Sequence, residues 1–475
     1  MTYKHGIAGM AMPSTDTFPP SGVGTLPVYI GTAPVHQLQT PEAALNVPYL
    51  VNSFDEAKER LGYSDDWGSF TLCEAMYAHF KNPIQNIGPI VLINVMDPAL
   101  HTKAGTESVV LTGGVGYITK AALKDSVEIA GKTVGTDYTL TRMADGTLKL
   151  TQVTTLTSPV TVSFDELDIA AVEAADIVGG ITDGEYAGLA CLDLIYGEFG
   201  MVPTVVAAPG FAHLAPVYEE MASRCQNIGA HWDAIFLVDL DDITLTTIDA
   251  AIAWKETKGY TAKIGKVFWP QVKNGDRTYH LSTLAAARMQ QTDWTNGNCP
   301  YESPSNKQIP VTGLVLPGGG AVKFDETKAN TLNAQGITTA LYSGGTWRLW
   351  GPHMGNYKYG ADIKPEDLFD ASVRMMQWLT NGFQENFMGQ VDGPLNRRTV
   401  ERILDDAQVW LNALTAEGKI LYGQIEFKPQ SNPESAMVEG DFVFDVGTTT
   451  TPVGKSLTFA VQWKKTGLAS LFGGE

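Results

Sequence analysis

Apolar residues recur along this chain in three rhythms, and each predicts a different kind of element. Short continuous apolar runs appear in LPVYIGTA from Leu26, in Pro89 to Val95, and in VPTVVAAPG, AIFLVD and KIGKVFWP. Runs of this length, bounded by turn residues, predict strands buried on both faces. Helical spacing falls between them, at Phe54 to Leu61, across Leu72, Met76 and Phe80, from about Ala215 to Asn227, and from about Thr246 to Lys258. Strands alternating with helices predict parallel pairing with right-handed crossovers, and so an α/β core spanning 27–98 and 185–345.

From about Pro98 to Gly184 the composition shifts toward Thr, Val and Gly. Two alternating segments, YTLTRM and TLKLTQV, flank Asp145 and Gly146, a pair that favours the tight turn of a hairpin. With VTVSF nearby, residues 99–184 are expected to form a small β-rich domain inserted into the α/β one. Asn296 to Gly320, rich in Pro, Asn and Gly, is expected to be a long irregular connection.

The strand TWRLWG opens a C-terminal α+β domain over 346–455. Its first helix is predicted from near Pro365, with Glu366 and Asp367 in the opening turn and Leu368, Ser372, Met375, Leu379, Phe383 and Phe387 on one face. The second carries Val400, Leu404, Ala407, Leu411 and Leu414 and stops at Gly418. Three runs of period two follow: Leu421, Ile425 and Phe427; Phe442, Phe444 and Val446; Leu457, Phe459, Val461 and Trp463. The helices are expected to pack on this final sheet. Residues 456–475 form a terminal strand and arm, and residues 1–26, with Pro13, Pro19, Pro20, Gly22 and Gly24, form an N-terminal arm. Open sheet edges beside loose arms suggest a protein that completes its sheets with strands from other copies of itself.

At 475 residues two or three domains are expected, and 44% hydrophobic with 18% charged residues is ordinary for a folded chain. A net charge of -19, with no cluster of Lys and Arg, argues against direct nucleic-acid binding. Cys73, Cys191, Cys225 and Cys299 are far apart in small or apolar surroundings, which fits reduced, buried thiols. There is no basic-apolar signal segment and no long uncharged apolar run, so neither export nor membrane insertion is expected.

The best enzymatic candidate is Asp239, Asp241 and Asp242, which follow a strand where α/β folds place ligands and carry the oxygens that hold Mg²⁺. The stronger reading is that these residues cap backbone N–H groups, because no His, Lys or phosphate loop completes a site. Gly454, Lys455 and Ser456 resemble the end of a phosphate loop, but position 449 is threonine and a strand follows. Gly318 to Gly320 reads as a turn. The eight histidines show no metal-ligand spacing. Trp347, Trp350, Trp378, Trp410 and Trp463 suit core or intersubunit packing better than a stacking platform, because four of them lie on apolar faces or in strand text. No catalytic residue, metal or cofactor is assigned.

Several segments, in their order and spacing, resemble the tail sheath proteins of contractile bacteriophage tails, tail-like bacteriocins and related injection systems. They are PVYIGTAP, VPYLVNSFDEAKERLG, LCEAMYAHFKN, GPIVLINV, PTVVAAPGF, AIFLVD, LNAQGITTALYSGGTWRLWG and GPLNRRTVERILDDAQVWLNALTAEGKILYG. The match covers nearly the whole chain apart from the N-terminal arm and the β-rich insertion.

The resemblance implies a structural subunit, not an enzyme, that polymerises helically around a tail tube and contracts to drive the tube through a target envelope. It implies a virion tail component assembled in the host bacterial cytoplasm, whose partners are further copies of itself, the tube protein, and the baseplate and tail terminator. It also implies that arms add strands to neighbouring sheets, which makes Leu457, Phe459, Val461 and Trp463 the candidate exchange strand. The tube-facing surface is expected on the C-terminal domain, along the exposed side of the helix from Glu366 to Met388 or its flanking loops, with Glu366, Asp367, Arg374, Gln377 and Glu385 as candidates. The insertion is expected to face outward. A metal-dependent enzyme using the three aspartates is the alternative.

Overall fold

The computed structural model describes residues 24–472 apart from 144, 145 and 242. The expected N-terminal arm therefore falls almost wholly outside the described residues, as do Asp145 and Asp242. The centre of the molecule is an eight-stranded sheet in the spatial order Thr346–Trp350, Ile337–Ser343, Gly265–Phe268, Ile235–Asp239, Val205–Ala207, Pro27–Gly31, Ile90–Asn94, Pro48–Val51. The six middle strands are mutually parallel. Each edge strand runs antiparallel to its neighbour. The continuous apolar runs are the central strands, buried along their length, as a parallel sheet covered on both faces requires.

The helices occur as predicted where their spacing was periodic. Phe54–Leu61 is capped by the Ser53 side chain, which accepts from the Glu56 N–H, and ends at Gly62. Ile248–Lys258 is capped by Thr247 in the same way. Sequence reading missed several helices, the shorter Glu326–Asn333 among them and, longest of all, Leu281–Thr295. Twelve residues of the latter are buried, polar ones included, so no polar face marked its period. The stretch expected to be irregular from Asn296 to Gly320 contains the strand Gly313–Leu316, part of a separate four-stranded sheet. Gly318 and Gly319 lie in the turn Pro317–Gly319, as expected, while Gly320 begins the strand Gly320–Val322.

Three separate apolar cores are present among the described residues. The largest surrounds the central sheet. A second contains Val109, Ile118, Tyr138, Leu148, Leu150, Val162 and Phe164, all within the Thr-rich and Val-rich stretch. There the strands Tyr138–Arg142 and Leu148–Gln152 pair antiparallel on either side of the expected turn. The body around this second core is narrower than 99–184, because Leu167, Val172 and Ile177 join the large core instead. Thr102 and Leu167 are cross-strand partners at its base, which places their Cα atoms roughly 5 Å apart. Replacing residues 104–165 with a short Gly-Ser linker is therefore expected to leave the cooperative unfolding of the remainder in place, since closing so short a gap costs little. Loss of that transition would make the segment part of the main fold.

The third core is C-terminal, formed by Met375, Leu379, Ala407, Leu411, Leu414, Ile420 and Ile425 with Cys299. It joins the helices Asp370–Phe387 and Arg397–Ala416 to a sheet of two strands, Ile420–Glu426 and Asp445–Thr450. The first helix starts later than predicted: Pro365–Asp367 is a separate 3-10 turn. Trp378 and Trp410 pack against each other with ring centroids 5.4 Å apart, which bears out the packing use expected of them. Among the described residues no helix is long and apolar enough to cross a membrane.

Candidate assembly interface

Two strands, not three, form the C-terminal sheet. Leu457, Phe459, Val461 and Trp463 lie in a segment without regular structure and are 76%, 84%, 94% and 72% exposed. A run of period-two apolar residues needs a sheet on which to lay one face, and in the single chain it has none. The first run is also altered. Leu421 is 56% exposed while Ile420 and Ile425 are buried, because a register irregularity between Ile420 and Tyr422 breaks the alternation. Phe442 and Phe444 precede the second strand, which begins at Asp445.

The tube-facing candidates separate in the same way. Glu366 is exposed, and Asp367 is partly covered and lies 4.0 Å from the Lys263 ammonium. Glu385 is half-buried, and burial raises its carboxyl pKa. Arg374 does not lie on an exposed face: it is 5% exposed and forms an ion pair with Asp293, itself wholly buried. Gln377 donates to the Ala234 carbonyl at 3.0 Å and so also points toward the central domain. The helical period alone did not reveal this, because the helix is packed on two sides, by its own domain and by the α/β core.

That second contact is a charged joint. Lys266, inside a central strand and wholly buried, lies 2.9 Å from the carboxylate of Asp370, also wholly buried. Its ammonium donates further to the Gly351 and His353 carbonyls at 2.9 and 3.0 Å. Burial lowers the Lys266 pKa and the Asp370 charge opposes that shift. One turn along the same helix, Arg374 holds Asp293, which also accepts from the Thr25 hydroxyl. Gln290 donates to the Thr25 carbonyl at 3.0 Å. The root of the N-terminal arm, the central domain and the C-terminal helix thus meet in one buried network. Sequence reading missed Lys266, Asp293 and Asp370; the only signal was a lysine placed within an apolar strand.

The enzymatic candidate comes apart. Asp239 accepts from the Ser282 N–H at 3.0 Å and from the Ser282 hydroxyl, so it holds the start of the helix Leu281–Thr295. Asp241 accepts from Ile243 and Thr244 within its own loop. Asp242 lies outside the described residues, and among those described no group of His, Cys, Asp or Glu is arranged to hold a metal. No helix follows residues 454–456 directly: 457–464 have no regular structure. The four cysteines are free and buried, and burial pushes the Cys73 thiol up to about 12.

Burial raises the Asp239 carboxyl to about 6, with His280 and the Ser282 bonds opposing and Glu74 adding to the shift. A carboxyl whose folded pKa is raised binds its proton more tightly when folded, so its contribution falls as pH rises from about 4 to 6 and stays lost above, by roughly 3 kcal/mol. Asp239→Asn keeps an oxygen for the Ser282 N–H. It is expected to be no less stable than the parent at pH 7.5, and the parent-minus-variant difference should change between pH 4 and 6. Chemical denaturation at several pH values tests this; a variant clearly less stable at pH 7.5 would show that the ionised form is the favoured one.

No family model matches the chain. It is 25% identical over 479 aligned residues to the tail sheath protein of Burkholderia phage BcepMu, covering 94% of this chain and 93% of that one. It is 24% identical over 320 residues to the tail sheath protein of Escherichia phage P2, covering 65% of this chain and 75% of the relative. A putative prophage major tail sheath protein of Pseudomonas aeruginosa is 25% identical over 64% of this chain and 76% of its own. In fold, the chain is similar to one in the cryo-EM structure of the anti-feeding prophage baseplate, with TM-score 0.58, 14% identity, and 98% and 100% of the two chains covered. It is also similar to one in the PVC sheath complex of an extracellular contractile injection system in the contracted state, with TM-score 0.57, 12% identity, and 98% and 99% covered. These findings bear out the resemblance to tail sheath proteins read from the sequence.

Proposed function

We propose that the chain is a structural, non-enzymatic subunit of a contractile tail sheath, which polymerises helically around a tail tube and contracts to drive the tube through a target envelope. One observation carries this reading beyond the relatives' names: an alternating apolar segment stands exposed beside a sheet of only two strands. Leu457, Phe459, Val461 and Trp463 add to the sheet of another copy, and main-chain groups open in one copy are satisfied in the array. A repeated head-to-tail contact that does not close generates a helix. The work comes from a metastable extended array relaxing to a more stable contracted one, without nucleotide hydrolysis.

The tube lies against the C-terminal domain, where Glu366, Asp367 and Glu385 retain surface to present. The array also meets a baseplate and a tail terminator, assembles in the bacterial cytoplasm and is carried on the virion tail. The body around the second core faces outward, away from the tube. Negative-stain microscopy of the purified protein tests the central claim. Tubes or helical polymers are expected, and discrete particles under all assembly conditions would sink it.

A further inference from the structure

Of the two edges of the C-terminal sheet, a side chain already occupies one. Gln408, on the helix Arg397–Ala416, donates from Nε2 to the Gly423 carbonyl at 3.0 Å, and its Oε1 accepts from the Ile425 N–H at 3.1 Å. Nε2 also donates to Asn412 Oδ1 at 2.9 Å, which fixes the amide's orientation. These are the donor and acceptor that an added strand would use on that side. The helix comes this close because residue 423 is glycine: a Cβ there would lie 2.9 Å from Ile420 Cδ1 and 3.0 Å from Leu411 Cβ.

The opposite edge differs. In an antiparallel ladder, residues that turn their main chain away from the partner strand face residues that do the same on the far side. Gly423 and Ile425 pair with Thr448 and Val446, so the latter two direct their N–H and C=O groups outward along the strand Asp445–Thr450. Gly447 between them and Thr449 just beyond are exposed, and Val446 is 37% exposed.

We propose that Gln408 is an edge guard: it closes the Ile420–Glu426 side of the sheet, so that the strand Leu457–Trp463 of a second copy adds only along Asp445–Thr450. The inference rests on the strand-exchange reading above and names its acceptor. The occupant is a second copy because this chain's own segment of matching length is unpaired, alternating and apolar. Closing one edge makes the sheet grow in one direction, which suppresses the edge-to-edge pairing that an open two-stranded sheet invites and gives the contact the single polarity a helical array requires.

The test places a photoreactive phenylalanine analogue at position 459 of the full chain, mixes it with isotopically labelled copies under assembly conditions, and maps crosslinks between copies by mass spectrometry. In the parent, crosslinks are expected on 445–450 and to exceed those on 420–426 by about tenfold, the effect of a lost hydrogen-bonded pair. Gln408→Leu frees Gly423 and Ile425 and should bring crosslinks on 420–426 to a comparable yield. Gln408→Glu, which keeps the acceptor for Ile425, should fall between. Should the leucine variant misfold, the parent map and the glutamate variant decide the question. Equal yields on both strands of the parent, or a map unchanged by substitution, would overturn the guard while leaving strand exchange intact. Crosslinks on neither strand would overturn strand exchange and the guard together.

Discussion

Deletion of residues 456–475 is expected to abolish polymer formation while leaving a folded monomer. The removed segment holds Leu457, Phe459, Val461 and Trp463, all more than 70% exposed, so the single chain's fold loses almost no contact with these four side chains. In an array, each of these side chains gains about 1.5–3 kcal/mol on burial, and each added main-chain hydrogen bond contributes roughly 1 kcal/mol. Ordering a strand costs about 1–2 kcal/mol per residue, so neither contribution suffices alone and the segment acts as a unit. Trp463→Ala should accordingly weaken assembly, raising the protein concentration it requires, whereas the deletion should remove it at every concentration. Sedimentation velocity with negative-stain imaging reads both effects, and the unfolding midpoint of the deletion variant should match that of the parent. Full-length tubes from the truncated protein would show that the segment is not the link between copies.

The second large effect is on stability. Asp370→Ala leaves the Lys266 ammonium, wholly buried, without its counter-charge. Removing one partner of a buried pair typically costs about 3–5 kcal/mol, because the remaining charge is neither solvated nor paired. The loss should appear in the denaturation of the C-terminal domain, followed by fluorescence of Trp378 and Trp410 in its core. The double replacement Lys266→Met with Asp370→Leu should recover much of the loss, since two apolar side chains of similar volume leave no charge behind. Recovery will be incomplete, because the His353 carbonyl loses the ammonium and the Gly351 carbonyl keeps only the Thr338 hydroxyl, at 3.2 Å. An Asp370→Ala variant as stable as the parent would mean that the pair contributes nothing to the joint.

Much of the architecture was legible because each class of element left its own signature. Strands buried on both faces appear as unbroken apolar runs, and Phe54–Leu61 and Ile248–Lys258 carry capping residues where they begin. The reading failed where burial was complete or where geometry broke the period. Leu281–Thr295 is covered on nearly every side, so polar residues such as Gln290 and Asp293 lie inside. Leu421 keeps its place in an alternating pattern but faces solvent, because an irregularity shifts the register by one residue.

For the interface, the alternation of Leu457, Phe459, Val461 and Trp463 marks a strand wherever its partner lies, because period two depends only on local backbone geometry. The α/β order, the C-terminal helix pair and the resemblance to tail sheath proteins are likewise carried by local patterns and their spacing. The pairing of Arg374 with Asp293, of Lys266 with Asp370, and of Gln408 with the strand edge was decided only in the folded molecule. These residues are 81, 104 and about 16 positions apart in sequence, and a charge or an amide carries no periodic trace of the partner it will meet. Whether such a side chain faces a neighbouring copy or an interior joint depends on which surfaces the tertiary structure covers, and Arg374 is the residue at which local pattern and covered surface disagreed.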